Sequence, residues 1–217
     1  MKTFSKLFVV IAFFASGLST PVFCAEPEDA VTMHDHHHMM QMMEKTTSQM
    51  VEYKLPQVQL VRNDGKTVSF ADELNDGRPV LMNFMYTSCT TTCSLASHTL
   101  SELQDKLGDW RNRIHIVSVS VDPEQDTPAV LTKYAQKFSA GKEWDFYTGT
   151  LEASIAAQQA FNVYRGDKMQ HNPVTLIRSA PGKPWLRIEG FAKSDELLHN
   201  IMVMETTAEA QPAKIEY

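Results

Sequence analysis

The sequence of 217 residues has only three cysteines, no excess of positive charge and no apolar run that would comfortably span a membrane. Its formal net charge of −6 argues against a nucleic-acid partner. The hydrophobic fraction of 43% is ordinary for a globular protein, and this length predicts one medium-sized domain with appendages. No internal repeat is evident.

The first 24 residues have the pattern of a secretory signal peptide. Lys2 and Lys6 precede an apolar stretch at residues 7–15, and small and polar residues follow up to Cys24. We favour cleavage after Cys24; lipid modification of Cys24 and a retained anchor are the alternatives. The sequence therefore predicts a secreted, periplasmic protein, which would contact the membrane only if the N-terminus is retained or lipidated.

Residues 25–54 are predicted to form a flexible leader rich in methionine and histidine. Six of the twelve methionines lie between residues 33 and 50, and the segment shows no apolar periodicity. Thioether sulfur suits Cu(I), and imidazole accepts Cu(II) or zinc. The alternative is a solvated polar leader whose histidines bind nothing. The auxiliary metal ligands predicted here are His34, His36, His37, His38, Met39, Met40, Met42 and Met43.

Cys89 and Cys93 lie four residues apart, between an apolar run at residues 80–86 and a helical pattern at residues 93–107. Backbone N–H groups and the positive end of the dipole at a helix N-terminus stabilise a thiolate, which is both a nucleophile and a metal ligand. A purely structural disulfide is the alternative, but so short a loop restrains the unfolded chain little. The spacing therefore favours a redox or metal site.

Residues 55–206 are predicted to form an α/β domain with a thioredoxin-like fold, in which helices flank a central mixed sheet. An N-terminal β-hairpin opens this domain, and residues 207–217 form a tail. The predicted strands are residues 58–62, 66–70, 80–86, 114–121, 144–147, 174–178 and 186–189, and the predicted helices are 93–107, 128–138, 150–161 and 194–204. Thr127 is the expected N-cap of the second helix, with Pro128 in its first turn.

Two thiolates alone leave most metals under-coordinated, so a third ligand is expected. His171 is the best candidate. It lies in a loop immediately before a strand, and in a thioredoxin-like fold that loop faces the cysteines. His98, His115 and His199 are not expected to be ligands. Pro173, two residues further on, suggests the hypothesis of a cis peptide bond at this position.

Three segments together resemble the Sco (SenC-type) family of copper chaperones: residues 84–93 with their CxxxC pair, residues 120–128 (SVDPEQDTP), and His171 before a strand. The resemblance implies that Cys89 and Cys93 bind copper, as Cu(I) or Cu(II), through thiolates and that His171 binds it through imidazole. Asp122 matches an acidic residue of the family in the loop facing the site; the alternative is a turn residue that shapes the bend at Pro123. This chain departs from the family in having three threonines between its cysteines.

The resemblance implies a periplasmic chaperone that delivers copper to a cuproprotein, such as cytochrome c oxidase with its binuclear copper centre. One alternative is a thiol-disulfide oxidoreductase acting on partner cysteines, in which Cys89 attacks and Cys93 resolves the mixed disulfide. Another is a periplasmic copper-tolerance protein, in which the leader does most of the binding.

Overall fold

The computed structural model describes residues 46–209. Its eight strands are β1 Thr47–Val51, β2 Gln59–Arg62, β3 Thr67–Ser69, β4 Val80–Met85, β5 His115–Ser120, β6 Trp144–Thr148, β7 Val174–Arg178 and β8 Trp185–Glu189. Its α-helices are α1 Phe70–Leu74, α2 Thr92–Leu107, α3 Pro128–Lys137, α4 Leu151–Ala160 and α5 Ser194–Glu209. The described secondary structure also includes two 3₁₀ turns, Gly108–Arg113 and Lys168–Gln170.

The strands form one mixed sheet in the order β1-β8-β7-β4-β5-β6-β2-β3. The pairs β4/β5 and β5/β6 are parallel, and the remaining pairs are antiparallel. Every residue of β4 and of β5 is buried, as expected for central strands covered on both faces. The predicted mixed sheet with flanking helices is confirmed.

Local sequence signals place the helix starts correctly. The Thr127 hydroxyl accepts a hydrogen bond from the Val130 N–H at 3.4 Å, and Pro128 occupies the first turn of α3. At the start of α4, the Thr150 hydroxyl accepts a hydrogen bond from the Ala153 N–H at 3.2 Å. Each cap satisfies a backbone donor that the helix leaves unpaired.

The sheet begins earlier than the predicted domain. Strand β1 lies inside the range expected to be leader and pairs with β8 from Thr47 opposite Glu189 to Val51 opposite Trp185. Four of its five residues are exposed, so it lacks the apolar alternation by which strands are recognised. Helix α1 was not predicted either, and α5 continues five residues beyond the predicted end at Met204.

The predicted signal peptide and the methionine and histidine cluster of the leader lie outside the described residues. Within residues 46–209, none of the helices is both long enough and apolar enough to cross a bilayer.

Phe161, directly after α4, is the centre of an aromatic cluster. It is fully buried, and its ring centroid lies 5.0 Å from that of Tyr53, 6.1 Å from that of Phe84 and 5.4 Å from that of Trp185. The cluster therefore joins the segment after β1, the central strand β4 and the strand β8. Tilted and edge-on aromatic pairs of this kind stabilise beyond their buried area.

The sheet brings the sequence-predicted site residues to one end. Cys89 follows β4, whose carboxyl end pairs in parallel with that of β5, Met85 lying opposite Ser120. Strand β7 runs antiparallel to β4, with Thr175 opposite Asn83, so the loop that precedes β7 lies at the same end. Crevices at the carboxyl ends of parallel strands are common ligand sites.

We predict that Phe161→Ala lowers the free energy of unfolding by about 3–5 kcal/mol, because the substitution leaves a cavity among three aromatic rings. Urea unfolding followed by circular dichroism measures the change. Leu151→Ala, at an exposed position of α4, is the control and should change stability by less than about 0.5 kcal/mol. Equal effects of the two substitutions would contradict the central role of Phe161.

Candidate metal and thiol site

Both cysteines are free thiols at the start of α2. The Cys93 N–H donates to the Cys89 sulfur at 3.4 Å, and the Thr92 hydroxyl lies 3.1 Å from the same sulfur. Thr91, the N-cap residue, makes no capping hydrogen bond with its side chain. The Cys89 sulfur therefore takes the acceptor role that a cap side chain usually fills.

These contacts give the two thiols different acidities. Burial disfavours ionisation of Cys89, but the hydrogen bonds from Thr92 and from Cys93 outweigh it and lower the Cys89 pKa to about 7. Burial dominates at Cys93 and, with the nearby Cys89 sulfur, raises its pKa to about 12. At neutral pH Cys89 is therefore about half ionised, whereas Cys93 stays protonated.

His171 lies at the end of the 3₁₀ turn before β7, and its ring faces β4. Its Nε2 is 3.1 Å from the Phe84 carbonyl oxygen. A carbonyl oxygen only accepts, so Nε2 carries the proton and Nδ1 keeps its lone pair. Burial, with Arg165 nearby, lowers the His171 pKa, which keeps the imidazole neutral at pH 7. A histidine that donates one N–H to a backbone carbonyl while the other nitrogen is free is the usual arrangement for a metal ligand.

One cleft joins the histidine to the cysteine helix. Cys93 and Thr92 line it from α2, His171 and Pro173 from the loop before β7, and Gly190 and Phe191 from the segment after β8. The structure thus places His171 of the predicted loop and Cys93 of the pair in one cleft, which Cys89 does not line. The ligand atoms of Cys89, Cys93 and His171 do not all lie within 4.8 Å of one another in the described chain.

The matched family model, described as SCO1/SenC, covers residues 46–201. This is most of the chain and includes both cysteines and His171. The chain belongs to the SCO1/SenC family.

Individual Sco proteins resemble this chain in sequence and in fold. A SCO1 protein homolog of Bacillus subtilis is 34% identical over 106 residues, which are 48% of this chain and 54% of the relative. The chain thus spans about half the length of the curated relatives it matches. The structure of BsSco, described as a member of the Sco family of cytochrome c oxidase assembly proteins with a disulfide switch, matches with a TM-score of 0.60. It is 26% identical, and the match covers 73% of this chain and 96% of that one.

Arabidopsis thaliana ScoI, solved with copper bound, matches with a TM-score of 0.58 at 23% identity, over 69% of this chain and 96% of that chain. At this identity the likeness concerns the fold, which is the thioredoxin-like fold predicted from the sequence. The mixed sheet and flanking helices of this chain correspond to those of the Sco structures.

The acidic loop, residues 120–128, contains a second buried aspartate, Asp126, which was not predicted as a site residue. Asp126 is fully buried, and its carboxylate accepts hydrogen bonds from the Thr87 hydroxyl at 2.5 Å, the Thr87 N–H at 3.2 Å and the Ser120 hydroxyl at 2.6 Å. It thereby fixes the segment between β4 and Cys89 to the end of β5. The only signal in the sequence was its place in the VDPEQDTP motif.

Asp122 shapes the turn and also makes an ion pair. Its carbonyl oxygen accepts from the N–H groups of Gln125 and Asp126, which makes the turn. Its carboxylate accepts a hydrogen bond at 2.5 Å from the Lys168 ammonium, which belongs to the 3₁₀ turn before His171. The ion pair connects the acidic loop to the histidine loop.

The cis hypothesis for Pro173 is wrong, because the Asn172–Pro173 bond is trans. The Pro173 carbonyl accepts a hydrogen bond from the Gly190 N–H at 3.0 Å, so the chain enters β7 directly as an extended, paired segment. The trans form is also the intrinsic preference of an X–Pro bond.

Within residues 46–209, one group of three side chains has its potential ligand atoms within 4.8 Å of one another: Glu73, His115 and Asp145. It lies at the opposite end of the sheet, since His115 is the first residue of β5. The Arg62 guanidinium already pairs with Glu73 at 3.3 Å and with Asp145 at 4.0 Å. We interpret the group as a structural charge network.

We predict that Thr92→Val slows alkylation of Cys89 by iodoacetamide at pH 6 by about tenfold, since a hydrogen bond to an ionised group contributes roughly 1.5–3 kcal/mol. The thiolate is the reacting form, so the wild-type rate should rise as the pH increases through about 7. The same rise in the rate of Thr92→Val should occur at a higher pH, because the Cys89 pKa is higher without the Thr92 hydrogen bond. Mass spectrometry after timed quenching measures the rate at each cysteine.

Thr91→Val is the matched control, because the Thr91 hydroxyl lies 3.9 Å from the Cys89 sulfur instead of 3.1 Å. Its pH profile should stay close to that of the wild type. An unchanged profile for Thr92→Val would show that the Thr92 hydroxyl does not stabilise the thiolate.

Proposed function

We propose that this Sco-family chain is a periplasmic copper chaperone that binds copper through Cys89, Cys93 and His171 and delivers it to a cuproprotein such as cytochrome c oxidase. The observation that carries the proposal is His171, which lines a cleft together with Cys93. Its Nε2 is hydrogen-bonded to the Phe84 carbonyl, and its Nδ1 has no hydrogen-bond partner within residues 46–209. Two sulfurs and a neutral imidazole form a donor set that suits copper better than hard cations.

The proposed site requires a small closure, because its three ligand atoms are not yet within 4.8 Å of one another. The segment best placed to move is the loop of residues 164–171, whose side chains are largely exposed before His171. Copper would therefore draw the histidine loop towards the rigid start of α2.

The leader supports the same function as an auxiliary copper-binding segment. Thr47, the first residue of β1, lies opposite Glu189, and the next residue, Gly190, lines the cleft that contains Cys93 and His171. The Thr46 hydroxyl donates to Glu196 at 2.9 Å, beside Leu197 of the same cleft. The leader is therefore attached to the domain at the end of the sheet where the proposed site lies, and a short tether gives a high effective concentration.

We predict that Cys89→Ser and His171→Ala each weaken Cu(I) binding by the reduced full-length chain by more than about 100-fold, beyond the 10–100-fold effect of outer partners of metal ligands. Anaerobic competition titration against a coloured Cu(I) chelator measures the affinity, and a parallel titration with Cu(II) compares the two oxidation states.

Two controls sharpen this titration. His199→Ala removes an exposed histidine of α5 and should leave the affinity unchanged. A chain in which the eight auxiliary leader residues are replaced by serine should lose weakly bound copper and keep the tight site. Loss of the tight site in the leader variant, with normal affinity in Cys89→Ser, would instead support a copper-tolerance protein.

Thiol exchange is a second candidate function, favoured by the difference in acidity between the two cysteines. The Cys89 thiolate would attack one sulfur of a partner disulfide and release a partner thiolate, giving a mixed disulfide. Cys93 would then lose its proton and attack the Cys89 sulfur, which releases the second partner thiolate. The partner gains two electrons and the Cys89–Cys93 pair is oxidised to a disulfide.

We predict that Cys93→Ser treated with oxidised glutathione accumulates one glutathione per chain, because the resolving thiol is absent, whereas the wild type ends as an internal disulfide. Intact-mass spectrometry separates the two products. Cys89→Ser should react far more slowly, since the remaining thiol has a pKa of about 12. His171→Ala should behave as the wild type; a loss of exchange in this variant would contradict an exchange mechanism that needs only the two cysteines.

A further inference from the structure

Met169 is an exposed methionine at the mouth of the proposed copper site. It lies in the 3₁₀ turn two residues before His171, and 74% of its surface is exposed, the highest value among large apolar side chains in residues 46–209. A single exposed apolar residue is ordinary on a protein surface. Its position and the direction of its sulfur are what give it a role.

The Met169 sulfur is directed at a residue that contacts the cysteines. The Tyr86 hydroxyl lies 3.5 Å from Sδ of Met169 and donates to it. Tyr86 itself is buried, and its carbonyl oxygen accepts a hydrogen bond from the Cys89 N–H at 3.3 Å. Burial and the neighbouring Cys89 thiolate raise the Tyr86 pKa to about 12, so the hydroxyl keeps the proton that it donates. The Tyr86 hydroxyl thus interacts with both the Met169 sulfur and the Cys89 side chain, and it links the two.

Several contacts set the position of the turn that carries Met169 in the described structure. The Met169 N–H donates to the Asp167 carboxylate at 2.9 Å, and the Lys168 ammonium pairs with Asp122 while it lies 5.6 Å above the centre of the Tyr86 ring. With these contacts made, most of the Met169 side chain is still exposed. An exposed group in a defined position is accessible to a donor molecule that arrives from outside.

The cysteines do not have this accessibility. Only 7% of Cys89 and 5% of Cys93 is exposed, against 74% of Met169, so Met169 is the side chain that an incoming copper donor meets first. A thioether is a soft ligand for Cu(I), carries no proton to lose and binds more weakly than a thiolate. A weak exposed ligand next to strong buried ones is suited to receive an ion and release it inward.

We propose that Met169 is the first protein ligand of incoming Cu(I) and passes the ion to the Cys89 thiolate, an inference that rests on the proposed copper function. A bond between copper and its donor breaks as the bond to the Met169 sulfur forms, and that bond is exchanged for one to Cys89. Copper remains Cu(I) throughout. When Cys93 joins as a ligand, its thiol proton leaves to solvent.

The test is stopped-flow transfer of Cu(I) from a coloured bicinchoninate complex to the reduced full-length chain. Met169→Leu preserves size and apolarity and removes the sulfur. We expect the transfer rate to fall by about tenfold, equivalent to roughly 1.4 kcal/mol in the barrier, with the equilibrium affinity unchanged within about threefold. Met50→Leu is the matched control: Met50 is also exposed but lies on β1 opposite Leu186, and its rate should equal that of the wild type.

Each other result overturns the inference. An unchanged rate in Met169→Leu would show that copper reaches the cysteines by another route. A loss of affinity as large as that of Cys89→Ser would make Met169 a permanent ligand. If the wild type itself fails to take Cu(I) from the complex, the proposed copper function fails, whereas normal uptake by wild type and by Met169→Leu alike removes only the role of Met169.

Discussion

The site depends on one buried carboxylate. Asp126 is fully removed from solvent and accepts hydrogen bonds from Thr87 and Ser120, which belong to the segments that leave β4 and end β5. A buried charge is tolerated only when such donors replace its water, and removal of a donor leaves a costly unpaired group. These hydrogen bonds fix the segment from Tyr86 to Cys89, on which the thiol positions and the Tyr86 contact with Met169 depend.

The same fixed segment explains why two chemically identical side chains behave differently. Cys89 precedes α2 and receives hydrogen bonds from Thr92 and from the backbone of Cys93, whereas Cys93 lies inside the first turn and is buried. The helix N-terminus thus stabilises negative charge on one sulfur only. Below the pKa of Cys93, copper binding by both sulfurs releases the Cys93 proton, so the apparent affinity should increase with pH through the neutral range.

Features set by local sequence could be predicted, and features set by contacts distant in sequence could not. Strands β4 and β5 are apolar throughout, and the threonine caps of α3 and α4 act within three residues, so the pattern alone located them. Strand β1 is exposed on most of its residues and exists because β8 offers a free edge, which no local pattern shows. Cys89, Cys93 and His171 could be proposed from the cysteine spacing, the loop before β7 and the family resemblance. The contacts of Asp126, Thr92 and Met169 depend on partners that the fold brings near.

His171 separates the two chemistries that the cysteine pair could support. Thiol exchange needs a nucleophilic sulfur and a resolving sulfur, and the acidities of Cys89 and Cys93 already provide both. It does not need a neutral imidazole with one nitrogen fixed to Phe84 and the other without a hydrogen-bond partner among the described residues. A copper ligand does need a lone pair on that nitrogen, which the hydrogen bond made through Nε2 leaves available. The copper function accounts for this histidine and the exchange function does not, although both can operate on the same pair of sulfurs.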